Sequence, residues 1–221
     1  MFTTRFQAWV RRNALRLARL LARSPLTPNQ ITTVGMALTF VAAALAGFGR
    51  LLPAGIVLAF AGTFDILDGA LARASKRSYP YGAFLDSTID RYSEGAVYLG
   101  IAAFFLSQPG PWMRLEVLAC MAALGGSFLV SYVRARAQSL GFTCDSGLFA
   151  RPERVVLTVV GLVAAGLGFV PVLSIVVGLL AVATNFTALQ RIYEVWAQAR
   201  AQRRAREAAA KAPARGETSR P

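Results

Sequence analysis

Four aspartates fall in one short stretch of the chain, FDILDGALARASKRSYPYGAFLDSTIDRYSEG. Asp65 and Asp68 are three residues apart and Asp86 and Asp90 four apart, so on helices each pair shares one face. Both pairs border long apolar runs, where an ionised aspartate costs about 2.5 to 3.5 kcal/mol at the centre of a membrane helix and less near its end. Four such charges brought together also repel, and something positive must offset them. Two divalent cations would do so. An all-oxygen ligand set without histidine or cysteine selects magnesium, with manganese next. The competing arrangement pairs the aspartates with Arg73, Arg77 or Arg91 as ion pairs and helix caps, but such a network does not require aspartate at both spacings on both helices.

The elements that must carry these carboxylates are membrane spans. The chain has 221 residues, of which 55% are hydrophobic and 16% charged, and its mean hydropathy is +0.48. That is too apolar and too poor in charge for an ordinary soluble domain. Six runs approach the roughly 20 residues that cross a bilayer, at 31–48, 52–72, 82–106, 115–133, 155–170 and 171–196. The weakest break is the last, at Gly168 and Pro171. An all-α fold of six transmembrane helices follows, with the second and third spans expected to form an antiparallel hairpin that brings both aspartate pairs to one depth.

Lysine and arginine crowd into the amino-terminal arm, the 73–77 loop, the 134–154 loop and the tail after Arg191, while the alternate loops hold only Arg50 and Arg114. Positive-inside bias then places both termini and the aspartates on the cytoplasmic face of the cell's inner membrane. Residues 1–25 read as an interfacial amphipathic arm, because Phe2, Phe6, Trp9 and Leu17 alternate with arginines as on a helix lying on an anionic leaflet. No removable signal peptide is expected. The core domain covers 26–196, and 197–221 reads as a short basic helix fraying into a disordered cytoplasmic tail. The net charge of +13 belongs to these loops, and no nucleic-acid-binding motif accompanies it. Cys120 and Cys144 have no metal-ligand neighbours at useful spacing and are read neither as a disulfide nor as a zinc site.

Around the aspartates, Gly69 and Ala72 keep the helix surface small, and Arg73, one turn beyond Asp68, is placed to hold a phosphate bidentately. The strings SYVRARA and RPER and the pair Gln190-Arg191 put further cations on the same side of the membrane. They suit an acceptor that already bears a phosphate, although positive-inside topology alone also accounts for single arginines. A magnesium transporter could likewise place carboxylates in a membrane, but it would not need Gly69 and Arg73 fixed beside them.

The pattern Asp65-x2-Asp68-Gly69-x2-Ala72-Arg73-x8-Gly82-x3-Asp86-x3-Asp90 resembles the signature of the CDP-alcohol phosphotransferase family at every position. The resemblance extends from about residue 26 to 191 and implies a six-helix membrane enzyme, usually a homodimer. It implies that Asp65, Asp68, Asp86 and Asp90 bind metal, that Asp90 is also the general base, and that Gly69 and Arg73 contact the CDP moiety. The segment Pro28, Asn29, Gln30 and Ile31 looks like the family's lining of the cytidine pocket; Thr27 and Pro28 equally suit an ordinary helix start. A hydroxyl contact to the nucleotide falls near Ser78 or Tyr79, where the bulky Tyr79 departs from the family's small hydroxyl residue. The reaction implied is attack of an acceptor hydroxyl on the lipid-linked phosphate of a CDP-alcohol, with release of CMP. The SYVRARA and RPER strings look like those of the family's phosphatidylinositol phosphate synthases. By that match Arg134, Arg154 and Arg191, with Arg151 in reserve, hold the acceptor phosphate. Glycerol 3-phosphate as acceptor and an ether-lipid donor are the alternatives to inositol phosphate and CDP-diacylglycerol.

Overall fold

The computed structural model describes residues 27–75, 80–144 and 151–211, and among these every regular element is an α-helix. In chain order they are α1 (Pro28–Gly47), α2 (Leu51–Ser75), α3 (Pro80–Leu106), α4 (Met113–Ser139), α5 (Arg151–Gly166) and α6 (Val170–Lys211). Each matches one expected span, and most run several residues longer at the end that carries charge. The start of α1 is set by a capping box: the Thr27 N–H donates to Gln30 Oε1 (2.9 Å) and the Gln30 N–H to Thr27 Oγ1 (3.3 Å), with Pro28 in the first turn. The break between α5 and α6 falls at Gly168, whose φ of 102° is open to glycine and strained for other residues.

Among the described residues, three helices, over Asn29–Gly47, Met113–Ser139 and Val170–Ala208, are long and apolar enough to cross a membrane. Helix α3 is long enough but carries Asp86, Asp90, Arg91 and Glu94. The apolar part of α2 is Leu51–Asp65, and α5 has only 16 residues. The charges that depress hydropathy are those that assemble the site.

The helices close into a ring. Helix α1 packs on α2 and α3, α2 on α5, α5 on α6, α6 on α4, and α4 on α3. The expected hairpin of α2 with α3 is therefore not a packed pair along its length: α1 lies between them, and their charged ends approach across the ring. Every helix sends side chains into one apolar core, among them Ala46, Leu58, Ile101, Phe105, Cys120, Leu162 and Val177. These come from the later turns of α1, α3 and α5 and the earlier turns of α2, α4 and α6, so the core fills one end of the bundle. The buried polar residues Thr32, Asp90, Ser93, Ser127, Arg154, Thr158, Thr187 and Arg191 gather toward the other end. Two of the hydroxyls there fold back on their own helices, Thr158 onto the Arg154 carbonyl (2.9 Å) and Thr187 onto Ala183 (2.8 Å), which satisfies them without water. Outward, Phe40, Ile56, Phe60, Leu99, Phe128, Val182 and Phe186 are exposed, as a lipid-facing belt requires. Tyr193 and Trp196 stack on each other near the charged end of α6, with the Arg200 guanidinium 5.2 Å from the Trp196 ring, an arrangement typical of a membrane interface.

Helix α6 continues through residue 197 without a break, so the last span and the basic segment to Lys211 are one helix. Residues 1–26, 76–79, 145–150 and 212–221 lie outside the described residues. With them go the expected arm, Arg77, Ser78, Tyr79 and the end of the tail.

Small residues set the closest crossings. A Cβ on Gly100 would collide with the backbone carbonyl of Ala43 on α1, whereas one on Gly125 would meet nothing within 4 Å. Gly100→Ala is expected to destabilise the protein by about 1 to 3 kcal/mol, the usual cost of overpacking, and Gly125→Ala to leave it unchanged. Thermal unfolding in detergent checks this, and equal melting of the two variants would show that the α1–α3 crossing is looser than described.

Candidate active site

The charged ends of α2, α3 and α5 converge on one another. Asp65 comes from the later part of α2, Asp86 and Asp90 from the first turns of α3, and Arg151 is the first residue of α5. The Arg151 guanidinium spans the gap: Nη1 lies 2.8 Å from Asp65 Oδ2 and Nη2 lies 2.8 Å from Asp90 Oδ1. Arg91 Nη2 is 3.3 Å from the other oxygen of Asp90. Asp86 is near enough for its charge to act on both Asp65 and Asp90. Three of the four predicted carboxylates are thus gathered. The backbone of α2 carries Asp68, Gly69 and Arg73 in the turns that follow Asp65; their side chains lie outside the described set.

Asp90 is the most enclosed of these groups. Although Arg151 is close to its Oδ1, no donor meets that buried oxygen with hydrogen-bond directionality. A buried carboxylate oxygen with a spare lone pair, beside two more carboxylates and no softer ligand, fits a hard divalent cation. Among the described residues no three acidic side chains form a closed ligand set, and Asp68 is the remaining member of the expected four. The residues present fit the implied metal.

One turn beyond Asp90 a second ion pair closes the floor of the site. Arg154 Nε donates to Glu94 Oε1 (2.7 Å) and Nη2 to Oε2 (3.2 Å), with side chains only 3% and 9% exposed. A cavity lies between the two pairs, lined by Asp65, Arg151, Glu94, Arg154, Ser93 and Tyr98, with Thr39 and Thr158 at its sides. Of the three arginines expected to hold the acceptor phosphate, Arg154 lines this cavity, and the three come from three helices. The charges of Arg134 on α4 and Arg154 on α5 both act on Arg191 of α6. Arg191 is buried and its Nη1 donates to the Val130 carbonyl on α4 at 2.7 Å. Near the rim, Gln198 holds the α4–α5 connection: its Oε1 accepts from the Thr143 N–H and Oγ1 (both 3.1 Å) and its Nε2 donates to the Thr143 carbonyl (2.7 Å). Cys144 beside it is fully buried, as is Cys120, and the two form no disulfide.

The candidate nucleotide segment meets the same end of the bundle. Asn29, in the first turn of α1, is close to Gly82 in the first turn of α3; a Cβ on Gly82 would lie 3.3 Å from Asn29 Oδ1. Gln30 has its side-chain oxygen engaged in the cap and Ile31 is buried. Pro28 fixes the first turn, and Tyr79 lies outside the described residues.

Sequence reasoning missed Glu94 altogether. Its spacing of four from Asp90 is the signal that could have found it, since it continues the face on which Asp86 and Asp90 lie. It also did not foresee that Arg151, from a helix distant in sequence, would reach Asp65 and Asp90; of the expected counter-ions, Arg91 does pair with Asp90.

The arrangement has close relatives. A family model described as CDP-alcohol phosphatidyltransferase matches residues 25–189. The phosphatidylinositol phosphate synthase of Mycobacterium marinum is 39% identical over 188 residues, covering 81% of this chain and 78% of the relative. The archaetidylinositol phosphate synthase of Methanothermobacter thermautotrophicus is 37% identical over 174 residues, 79% of this chain and 85% of the relative. Among solved structures, the Mycobacterium tuberculosis phosphatidylinositol phosphate synthase with CDP-DAG bound superposes with a TM-score of 0.75 at 36% identity, covering 84% of this chain and 94% of that one. The same enzyme in complex with manganese and citrate also gives 0.75 at 36% identity, covering 83% and 88%.

Removing one member of the Glu94–Arg154 pair strands the other charge in the bundle. Glu94→Gln is expected to cost about 3 to 5 kcal/mol, and Glu94→Gln combined with Arg154→Met to recover most of it. Melting of the three proteins in detergent tests this; a double variant no more stable than the single one would contradict the pairing.

Proposed function

This chain belongs to the CDP-alcohol phosphatidyltransferase family, and on that premise we propose that it transfers the phosphatidyl group of CDP-diacylglycerol to inositol phosphate and releases CMP. The observation that carries this reading is a cavity lined by both Asp65 of the carboxylate cluster and Arg154, with Arg134 and Arg154 near enough for their charges to act on Arg191. An enzyme that joins a diphosphate donor to a phosphorylated alcohol needs both. The names of the relatives at 37 to 39% identity support inositol phosphate as the alcohol.

Asp65, Asp68, Asp86 and Asp90 would hold two divalent ions, magnesium by preference with manganese as substitute, and these would supply charge neutralisation on the diphosphate. Manganese in the complex of the mycobacterial relative supports a divalent site. Asp90, the most enclosed carboxylate, takes the proton of the acceptor hydroxyl at a carboxylate oxygen. The acceptor oxygen forms its bond to the lipid-linked phosphorus as the bond from that phosphorus to the bridging oxygen breaks, and CMP leaves with the electron pair. No nucleophilic serine, cysteine or histidine is required. Arg134, Arg154 and Arg191 orient the acceptor through its phosphate, Arg73 and Gly69 meet the CDP moiety, and Pro28, Asn29, Gln30 and Ile31 with Tyr79 border the nucleotide. In the membrane we take all six helices as spans, with the site and both termini cytoplasmic, as the distribution of arginine favours, residues 1–25 lying on the leaflet and the protein acting as a homodimer.

The test is CMP release from CDP-diacylglycerol by purified protein with magnesium, offered inositol phosphate, glycerol 3-phosphate or inositol, and an ether-linked donor in parallel. Turnover is expected with inositol phosphate, and turnover with glycerol 3-phosphate alone would reassign the acceptor. Asp90→Asn is expected to lower turnover at least about 100-fold, the smaller end of general-base contributions, in a protein that still folds and inserts; full activity would remove Asp90 from the base role. Arg134→Ala, on an exposed side chain, is expected to raise the KM for the acceptor about tenfold, in line with one charged hydrogen bond, with little change for the lipid. An equal rise for both substrates would argue against its place in the acceptor pocket.

A further inference from the structure

The two oxygens that Arg151 approaches, Asp65 Oδ2 and Asp90 Oδ1, each at 2.8 Å, belong to carboxylates of the proposed metal cluster. A guanidinium and a small cation cannot bridge the same pair of oxygens. Asp65 and Asp90 are both among the residues that would hold a divalent ion, and a guanidinium and a divalent cation drawn to the same carboxylates would repel each other at that range. From this geometry we propose that Arg151 is an internal counter-ion that competes with a divalent cation for Asp65 and Asp90 and, once displaced, turns its guanidinium to the phosphates of the substrates. The inference rests on the metal reading of the preceding subsection and adds an exchange to it.

Three observations support the exchange. The hold on Asp90 is incomplete: Nη2 is close to Oδ1 but out of line for a hydrogen bond, so a cation that uses the free lone pair gains what Arg151 leaves unused. Arg151 opens its helix, where its side chain can leave the aspartates by rotation about its own bonds. Arg151 and Arg154 both line the cavity, so a short swing keeps the guanidinium inside the site. Charge points the same way. Two divalent ions neutralise four aspartates by themselves, and Arg151 then becomes surplus positive charge beside a cavity meant for phosphate. Metal loading would thereby prime the site for an anion, and by reciprocity a phosphate that attracts Arg151 would favour loading.

The test is equilibrium binding of Mn2+ alone, followed by electron paramagnetic resonance, to the full-length protein in nanodiscs without nucleotide or acceptor. Arg151→Gln, which keeps length and polarity but removes the competing charge, is expected to bind Mn2+ about tenfold more tightly than the natural protein. Arg151→Lys, with one donor point instead of a fork, is expected to lie between them, and it keeps the comparison available if the glutamine variant fails to fold. Unchanged or weaker Mn2+ binding in the variants would overturn the exchange while leaving the metal site standing. Absence of Mn2+ binding in all three proteins would overturn the metal reading and the exchange with it.

Discussion

Carboxylates at the edge of a hydrocarbon layer cannot stand without positive charge, and most of this architecture answers that one demand. Asp65 and Asp90 are spanned by Arg151, Asp90 is flanked by Arg91, and Glu94 is gripped by Arg154. Each cation except Arg91 comes from a different helix than the acid it serves, so charge balance is also tertiary structure. Buried pairs of this kind add little net stability over apolar packing. Their value here is in fixing which helix ends meet, and they leave one buried oxygen of Asp90 without a hydrogen bond.

The division of the bundle into two ends follows. Apolar side chains from all six helices fill one end and supply the packing that holds the ring. The other end is then free to be polar, with Thr158 and Thr187 bonded to their own helices and arginines reaching across seams. A cavity can persist between the ion pairs because neighbouring helices, rather than a continuous core, hold its walls.

Much of the site was legible in the sequence because it is encoded locally. The aspartate spacings lie within single helices, the Thr27–Gln30 cap is a four-residue pattern, and the six apolar runs became the six helices. Even the uncertain break at Gly168 was marked by the residue type that its backbone requires. What could not be read depends on partners far apart in sequence. Nothing local says that Arg151 would reach Asp65, that Glu94 and Arg154 would pair, or that α1 would come between α2 and α3. The boundary at residue 197 was drawn from a change in composition, but a helix continues wherever its backbone bonds do, and the alanine-rich, arginine-rich stretch favours that.

The order of the ring bears on how such a protein is made. Helices α4 and α5 are consecutive in the chain, yet neither closes the ring against the other; each docks on α6. As the polypeptide emerges, α1, α2 and α3 can associate first, α4 can join α3 and α5 can join α2, leaving an open crescent with one gap. The final helix is the keystone, and it brings Arg191 to Arg134 and Arg154 in the act of closing. The grouping of Arg134, Arg154 and Arg191 is therefore complete only once α6 has docked, so the last helix to be synthesised is also the one that finishes the polar end of the bundle.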